Sequence, residues 1–305
     1  ALVTAALDRV AVRLGGLTSS KKKLSALTTY RVGGAADLFV TVTSIGELGA
    51  VAAAMAGEAV ATLVVGRGSN LLVADSGFRG LAVKLEGDFE GVTIADTIVT
   101  AGGAASLPVV ARQSAAAGRP GLEWAVGVPG SVGGAGRMNA GGHGSDMAAS
   151  VTRVHLVDLA TGEDGWVPAD RLDLSYRHSS VRAGQVVAAA VLGRARGARA
   201  LVVAEISEIV RWRRAHQPGG QNAGSVFTNP PGDSAGRLIE AAGAKGLRIG
   251  TAQVSTKHAN FIQADDGGSA NDVWRLMRAV RTRVRDVTGI DLRPETHLVG
   301  FDASP

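Results

Sequence analysis

The 305-residue sequence contains no cysteine. Without a thiol, the chain cannot form a disulfide, a thiolate zinc site, an iron–sulfur cluster or a cysteine nucleophile, and this absence agrees with a cytoplasmic protein. Aromatic residues make up only 4% of the chain, so a site that stacks rings must rely on few side chains. The net charge of +5 suits anionic small molecules, but a nucleic-acid-binding protein is disfavoured because aromatic platforms and a recognised module are missing.

Long apolar runs are also missing. The closest approach to a membrane span, residues 48–65, contains Glu58 and falls short of the roughly 18 apolar residues that a span requires. The first residues do not show the basic-then-apolar pattern of a signal peptide. We therefore expect a cytoplasmic protein that does not insert into a membrane, and we expect it to be a monomer.

The apolar residues that are present predict a mixture of strands and helices. Predicted strands cover residues 38–42, 61–65, 80–85, 91–95, 98–101, 151–158 and 186–191, with two further strand-like pieces flanking Pro294. Predicted helices begin at Ser44, span residues 106–117 and 202–215, and include a long helix near the C-terminus. Strands and helices do not alternate strictly, which favours an α+β fold over a doubly wound sheet.

The clearest helix begins near residue 269. Ser269 and Asp272 match an S-x-x-D capping box, and apolar residues follow at helical spacing from Val273 to Val287. Gly289 suits the end of this helix.

The chain length suggests about two domains. Residues 1–26 are predicted to form a helix and a basic tail, residues 27–196 a first domain, and residues 197–305 a second. The second boundary is placed where the character of the sequence changes, close to Gly197.

The first glycine-rich stretch, residues 66–71, reads Gly-Arg-Gly-Ser-Asn-Leu and follows an apolar strand. Glycine lets the backbone approach a phosphate closely, and consecutive N–H groups can form an anion-binding concavity. The stretch is not the Rossmann fingerprint, because Leu71 stands where the third glycine belongs. Alone, the stretch is weak evidence and favours an ordinary loop after a strand.

A second stretch, residues 127–134, contains glycines, Pro129 and Ser131, and is followed by Met-Asn-Ala-Gly at 138–141. It specifies a backbone path that could wrap a flat or phosphorylated ligand. It is not a serine-hydrolase elbow, because Pro129 occupies the position of the glycine that must precede the serine by two residues.

Together with Thr-Tyr-Arg-Val-Gly-Gly at 29–34, these stretches resemble the FAD-binding domain of the MurB family. The resemblance continues in the family's order through residues 176–179, 222–230, 241–246, 257–261 and 292–295. It implies a vanillyl-alcohol-oxidase-type (PCMH-type) FAD domain with two α+β subdomains, followed by a MurB-type substrate domain. The short spacing between Arg177 and Ser225 favours the compact subgroup that lacks an extra substrate-covering loop.

The resemblance also implies the cofactors and the activity: non-covalently bound FAD, NADPH as hydride donor, and reduction of the enolpyruvyl group of a UDP-sugar in peptidoglycan synthesis, hence a part in cell shape and division. The FAD contacts that it implies are Arg31, Gly33, Gly66, Arg67, Gly68, Ser69, Asn70, Leu71, Gly127, Pro129, Gly130, Ser131, Gly133, Gly134, Asn139 and Ala140.

Three residues match the family's catalytic positions. Arg177 would hold the substrate carboxylate and stabilise an enolate, because a guanidinium binds a carboxylate in fixed geometry. Ser225 would donate a proton to the substrate carbon. Glu295 would act as a second acid or enolate stabiliser, and a carboxyl that donates a hydrogen bond at neutral pH needs a pKa raised by burial.

Substrate contacts are implied for Tyr176, His216, Asn229 and His258. His216 departs from the family pattern, which often has a lysine there near the nucleotide phosphates, and an imidazole is only partly charged near neutral pH. Lys257 and Asn260 belong to the same polar cluster as His258, where a core or surface role is an equal alternative.

Other functions stay open at the level of sequence. A FAD-dependent alcohol or sugar oxidase of the same fold would not require Ser225 and Glu295 in these motifs. A flavin-binding protein without catalysis is a further alternative.

Overall fold

The elements of the fold were located in a computed structural model, which describes residues 2–193, 198–302 and 304–305. The helices are α1 (Leu2–Leu14), α2 (Ile45–Met55), α3 (Leu107–Ala116), α4 (Val132–Met138), α5 (Met147–Ser150), α6 (Arg199–His216), α7 (Ala235–Ala241) and α8 (Ala270–Thr288). The strands are β1 (Thr18–Lys23), β2 (Ala35–Val42), β3 (Thr62–Val65), β4 (Leu71–Val73), β5 (Phe78–Leu85), β6 (Val92–Ala95), β7 (Ile98–Gly102), β8 (Gly141–Gly142), β9 (Ser145–Asp146), β10 (Val151–Asp158), β11 (Asp164–Pro168), β12 (Gln185–Leu192), β13 (Arg248–Ile249), β14 (Ala252–Val254), β15 (Ile262–Ala264) and β16 (His297–Val299).

The chain divides into two compact units, and it passes between them several times. Unit 1 comprises Ala1–Ser20, Leu38–Arg67 and Gly80–Arg213, and unit 2 comprises Lys21–Asp37, Gly68–Arg79 and Arg214–Pro305. The domain boundary expected near Gly197 lies outside the described residues.

Unit 1 is built on antiparallel strands with helices packed against them. A five-stranded sheet has the order β11-β10-β12-β7-β6, and α4 packs on β12. One hydrophobic core is formed by buried side chains of this sheet and its helices, among them Val99, Leu107, Val132 and Val187. A second core combines α1 and α2 with strands of the β1-β2-β5-β3 sheet, in which β3 and β5 are parallel.

Unit 2 packs α8 on a small sheet of order β13-β14-β15. The buried side of α8 consists of Val273, Leu276, Met277, Val280 and Val284, which is the spacing that places side chains on one helical face. β4 pairs in parallel with β16, with His297 opposite Leu71. The core of this unit also contains Tyr30 and Phe227.

The α+β expectation is confirmed, because the strands form antiparallel or short mixed sheets with helices packed on them. Predicted strands agree with β3, β5, β6, β7, β10 and β12 to within about two residues at each end, and β2 begins three residues earlier than predicted. Ser44 caps α2 as expected, its hydroxyl accepting from Glu47 N at 3.3 Å. None of the helices in the described ranges is long and apolar enough to cross a membrane.

Two details at the end of the chain correct the sequence analysis. Among the described residues, the strand expected directly before Pro294 is absent: the backbone there forms only an isolated bridge between Pro294 and Phe227, because the segment of Phe227 is itself a loop. Val287, at the end of the predicted apolar stripe, is 61% exposed.

The capping box of α8 forms only in part. Ser269 Oγ accepts from Asp272 N at 3.2 Å, as predicted. The Asp272 carboxylate instead accepts from Thr251 N and Thr251 Oγ1, both at 2.8 Å, and Thr251 Oγ1 accepts from Ser269 N at 2.9 Å. Thr251 thus replaces the reciprocal half of the box.

The segment before residue 27 was predicted to be a tail after its helix, but it contains the strand β1, whose residues are almost all exposed. The run Thr-Ser-Ser-Lys-Lys-Lys lacks the apolar alternation by which a strand is recognised in sequence.

Candidate functional site

In unit 1, the fold brings the two glycine-rich stretches together. A Cβ atom at Gly66 would lie 2.6 Å from Ser131 Oγ, so only glycine fits this approach without a shift. Ser131 is itself 2% exposed and caps α4, with its Oγ accepting from Gly134 N at 3.3 Å. Arg67, the next residue after Gly66, is exposed.

The second glycine-rich stretch contains a helix, α4, which the sequence analysis missed. Val132 N donates to Ala105 O at 3.0 Å, and Gly133 N to Gly103 O at 2.8 Å. A Cβ at Gly133 would lie 2.9 Å from Gly103 O and 3.0 Å from Val187 O. Glycine at 133 therefore allows α4 to pack closely on the sheet.

The residues that precede α4 are more accessible. Gly127 and Gly130 are half-buried and Pro129 is exposed. A Cβ at Gly127 would lie 2.9 Å from His143 Cδ2. His143 packs edge-on against Trp212 with ring centroids 5.0 Å apart, and burial, together with Arg213, lowers the pKa of His143.

Asn139 and Ala140 follow α4 and are buried. Asn139 has φ +46°, and its amide is bonded on both sides: Nδ2 donates to Ser175 O at 2.8 Å, and Oδ1 accepts from Ala148 N at 2.8 Å. Asn139 therefore anchors the segment that leads into Tyr176 and Arg177.

Arg177 lies in a tight turn. Ser175 and His178 exchange backbone hydrogen bonds of 3.0 and 3.1 Å, which leaves Tyr176 and Arg177 at the tip. Arg177 has φ +55°, a conformation that costs a non-glycine residue on the order of 1–3 kcal/mol and is often found at functional sites. Its Nη2 donates to Gly141 O at 3.0 Å, and its guanidinium lies 5.1 Å from the Tyr176 ring centroid.

In unit 2, the segment at 29–34 packs on the residues after Gly68. Thr29 N donates to Gly68 O at 3.1 Å. A Cβ at Gly33, where φ is +105°, would lie 2.3 Å from Val73 O, and one at Gly68, where φ is +62°, would lie 2.1 Å from Leu27 O. Arg31 also has a positive φ of +55°. Arg31, Gly33 and Gly68, all predicted to bind FAD, thus stand in backbone conformations that few side chains adopt, as does Asn139 in unit 1.

Also in unit 2, the Ser225 loop pairs with the Glu295 segment. Glu295 N donates to Val226 O at 2.8 Å, which links the residue after Ser225 directly to Glu295. Ser225 and Glu295 are both half-buried. The fold therefore brings together two of the three predicted catalytic residues through their backbones.

Asn260 holds this loop in place, a role that the sequence analysis did not find. Its Oδ1 accepts from Phe227 N at 3.0 Å, and its Nδ2 donates to Phe227 O at 2.8 Å. Asn260 O also accepts from Val226 N at 2.9 Å. The side chain is 3% exposed, so the core alternative that its polar cluster left open is the one observed.

The other predicted substrate contacts in unit 2 are spread around this loop. Asn229 is exposed, and its Oδ1 accepts from Ala235 N at 3.0 Å. His216 is exposed at the end of α6. His258 packs on Phe261 with ring centroids 4.8 Å apart, and its Nδ1 accepts from Asn260 N at 3.2 Å. Burial lowers the pKa of His258.

Two known domain families match this chain. Residues 36–164 match the FAD binding domain family, and residues 216–299 match the UDP-N-acetylenolpyruvoylglucosamine reductase C-terminal domain family.

Whole proteins match as well. A UDP-N-acetylenolpyruvoylglucosamine reductase of Heliobacterium modesticaldum is 41% identical, covering 93% of this chain and 91% of its own. That of Bacillus subtilis is 36% identical, with 93% and 95% covered. This chain belongs to the UDP-N-acetylenolpyruvoylglucosamine reductase (MurB) family.

A solved MurB structure agrees with this assignment. The enzyme from Thermus caldophilus superposes with a TM-score of 0.81 at 33% identity, covering 92% of this chain and 98% of that one. Membership of the family also confirms the expected combination of a PCMH-type FAD-binding domain with a MurB C-terminal domain.

The residues present fit FAD. The approach of Gly66 to Ser131 in unit 1, and separately the glycine requirement at Gly33 and Gly68 in unit 2, leave backbone rather than side chains at positions that the sequence analysis predicts to bind the cofactor. Such backbone suits a dinucleotide, whose phosphates accept hydrogen bonds from N–H groups.

Proposed function

We propose that this protein reduces the enolpyruvyl group of UDP-N-acetylenolpyruvoylglucosamine to give UDP-N-acetylmuramate, a step of peptidoglycan synthesis. The observation that carries the proposal is the backbone pairing of the Ser225 loop with the Glu295 segment, at 2.8 Å between Glu295 N and Val226 O. Family membership and the glycine-rich backbone that fits FAD support it.

When bound, FAD would supply the hydride chemistry that side chains cannot perform, with NADPH as the source of the hydride. The residues that would hold it come from the three glycine-containing stretches: Arg31, Gly33, Gly66–Leu71, Gly127, Pro129, Gly130, Ser131, Gly133, Gly134, Asn139 and Ala140.

The protein's own residues would deal with charge and protons. The substrate gains a hydride at its terminal enolpyruvyl carbon, so negative charge develops on the adjacent carbon and the carboxylate. Arg177 would bind that carboxylate and stabilise the charge. Ser225 would donate its hydroxyl proton to the adjacent carbon, which completes the addition of H⁻ and H⁺ across the double bond. Glu295 would stabilise the enolate or donate the proton in turn.

The substrate would be bound by Tyr176, Asn229, His216 and His258, with His216 near the nucleotide phosphates. Three of these are accessible: Tyr176 is 57% exposed beside Arg177, Asn229 is exposed, and His216 is exposed at the end of α6. NADPH as donor, a cytoplasmic location, a monomeric state and a role in cell shape and division belong to the same proposal.

The test uses the purified protein with NADPH and the enolpyruvyl UDP-sugar without oxygen. We expect one NADPH to be oxidised for each sugar that gains two hydrogens, as followed by absorbance and mass spectrometry. If an alcohol or a free sugar reduces the flavin and oxygen reoxidises it, while the enolpyruvyl sugar is not consumed, the protein is an oxidase of the same fold and the proposal fails.

A further inference from the structure

The backbone of Glu295 is held from both sides within unit 2. On one side, Glu295 N donates to Val226 O at 2.8 Å. On the other, Glu295 O accepts from the side-chain amide Nδ2 of Asn70 at 3.0 Å. Asn70 is 225 residues away in sequence and belongs to the first glycine-rich stretch, so the contact joins that stretch directly to the predicted acid.

A second hydrogen bond makes this contact geometrically specific. His297 N donates to the backbone O of Asn70 at 2.9 Å. Asn70 therefore contacts the chain on both sides of Thr296, once through its side chain and once through its backbone. Directly beyond, β4 and β16 continue as a parallel ladder, with Leu71 opposite His297.

The side chain of Asn70 thus adds one hydrogen bond between the two segments just before the β4–β16 pairing begins. This hydrogen bond holds the Glu295 carbonyl at the end of the strand pairing and fixes the direction in which the chain enters Glu295. Asn70 is suited to the contact because its side-chain amide carries an N–H donor and because it is the residue immediately before β4.

We propose that Asn70 is a positioning residue for Glu295: its side-chain amide fixes the backbone of the acid and couples the geometry of the glycine-rich stretch Gly66–Leu71 to the proton-transfer step. This inference rests on the proposed function for its kinetic consequence, but the contact itself involves only residues of this chain. A displacement of about 1 Å at a reacting group can cost roughly 10²-fold in rate, so loss of this anchor is expected to be felt at Glu295.

Two variants remove the donor in different ways. Asn70→Ala removes the side-chain amide, and Asn70→Asp keeps the shape but presents an oxygen to the carbonyl of Glu295. Asn70 is also predicted to contact FAD, so each variant is first characterised by its FAD content and by the rate at which NADPH reduces the flavin without oxygen. Glu295 has no part in that half-reaction.

The decisive readout is reoxidation of the reduced flavin by the enolpyruvyl sugar. Asn70→Ala is expected to slow this step by roughly 10–10²-fold more than it slows flavin reduction, because the acid is misplaced in addition to any effect on the flavin. In a Glu295→Gln background, Asn70→Ala should slow it no further, because the group that it positions is already lost. Ser69→Ala, from the same stretch, should combine additively with Glu295→Gln.

Hydrogen exchange provides a readout that does not depend on substrate. In the FAD-loaded protein, a peptide that spans residues 292–299 should exchange faster in Asn70→Ala and Asn70→Asp than in the wild type or in Ser69→Ala. Unchanged exchange in that peptide would overturn the inference, as would full slowing by Asn70→Ala in the Glu295→Gln background. If the wild-type flavin is not reoxidised by the sugar, the proposed function fails, while the exchange measurement still decides whether Asn70 holds Glu295.

Discussion

Glu295 donates its backbone N–H to the carbonyl of Val226, the residue that follows Ser225, at 2.8 Å. The two proposed proton donors therefore lie on paired segments, and Asn260 fixes one of these segments by two hydrogen bonds to Phe227. A hydroxyl presented from such a braced loop is pre-oriented, which is the condition under which a weak acid can act as a general acid.

The first prediction concerns Ser225→Ala. Flavin reduction by NADPH should proceed at the wild-type rate, because this half-reaction needs no proton from Ser225. Reoxidation by the enolpyruvyl sugar should slow by roughly 10²–10⁴-fold, the usual contribution of a positioned general acid. Stopped-flow absorbance of the flavin measures each half-reaction in turn. Equal slowing of both would indicate a damaged flavin site, and an unaffected second step would exclude Ser225 as the donor.

The second prediction concerns Arg177→Gly. Glycine removes a left-handed strain of roughly 1–2 kcal/mol, but it loses roughly 0.5–1 kcal/mol in backbone entropy and also the hydrogen bond to Gly141 O. These effects oppose each other, so we expect the free energy of unfolding to change by less than about 1 kcal/mol. Turnover should fall by roughly 10²–10³-fold, as when one donor to a developing charge is lost.

The matched control is Asp96→Gly. Asp96 has a similar φ of +48° and lies in the two-residue turn between β6 and β7, also in unit 1. Its replacement should leave both the thermal midpoint and the turnover close to those of the wild type. Wild-type turnover in Arg177→Gly would mean that the strained turn has a structural role only.

Much of this architecture could be predicted from local sequence. Strand β12 is read from a continuous apolar run because the side chains on both of its faces are largely buried in unit 1. α8 is read from its apolar stripe and from Ser269, since both are encoded within a few residues of the helix. The roles of Ser225 and Glu295, in contrast, were implied by the resemblance of their short motifs to the MurB family.

What local sequence could not reveal depends on partners that are distant along the chain. β1 is a strand because it pairs with β2, although its own side chains are exposed and polar. In the sequence Asn260 is only one member of a polar cluster, because Phe227, to which its side chain is hydrogen-bonded, lies 33 residues away. From the sequence, Gly133 suggests a flexible loop. In the structure, glycine is needed there because Gly103 O and Val187 O approach too closely for a Cβ atom. Such contacts are created only when the fold forms.

The third prediction follows from the lowered pKa of His258. Burial favours the neutral imidazole, and Lys245 and His216 act in the same direction, against the opposing influence of the backbone hydrogen bond and Glu240. The folded protein therefore binds the proton less readily than the unfolded chain. Stability should be fully present above the unfolded imidazole pKa of about 6.5 and should fall as the pH drops below it.

Urea unfolding monitored between pH 7 and pH 5 checks this in the wild type and in His258→Asn. The asparagine offers an oxygen near the position of Nδ1, which can accept from Asn260 N, and it carries no proton in this range. The variant should lose less stability than the wild type as the solution is acidified. A steeper loss in His258→Asn than in the wild type would contradict the assignment of the pH dependence to this ring.

The last prediction tests the meeting of the two glycine-rich stretches in unit 1. A Cβ introduced by Gly66→Ala would lie 2.6 Å from Ser131 Oγ, which is buried and occupied as the cap of α4. One of the two must move, and we expect the variant to retain less FAD after gel filtration than the wild type. Gly165→Ala is the matched control, because no atom lies within 4 Å of the Cβ position at Gly165.

A second substitution separates the clash from other effects. Ser131→Ala removes the offending Oγ and leaves Cβ at 3.7 Å from the new methyl group, an ordinary contact, while loss of the cap costs on the order of 1 kcal/mol. The double variant Gly66→Ala/Ser131→Ala should therefore retain more FAD than Gly66→Ala alone, even though its thermal midpoint is lowered by the missing cap. Full FAD retention in Gly66→Ala would show that the close approach of these stretches is not required for cofactor binding. Equal loss in the single and double variants would instead place the effect in the backbone of the Gly66 loop and not in its contact with Ser131.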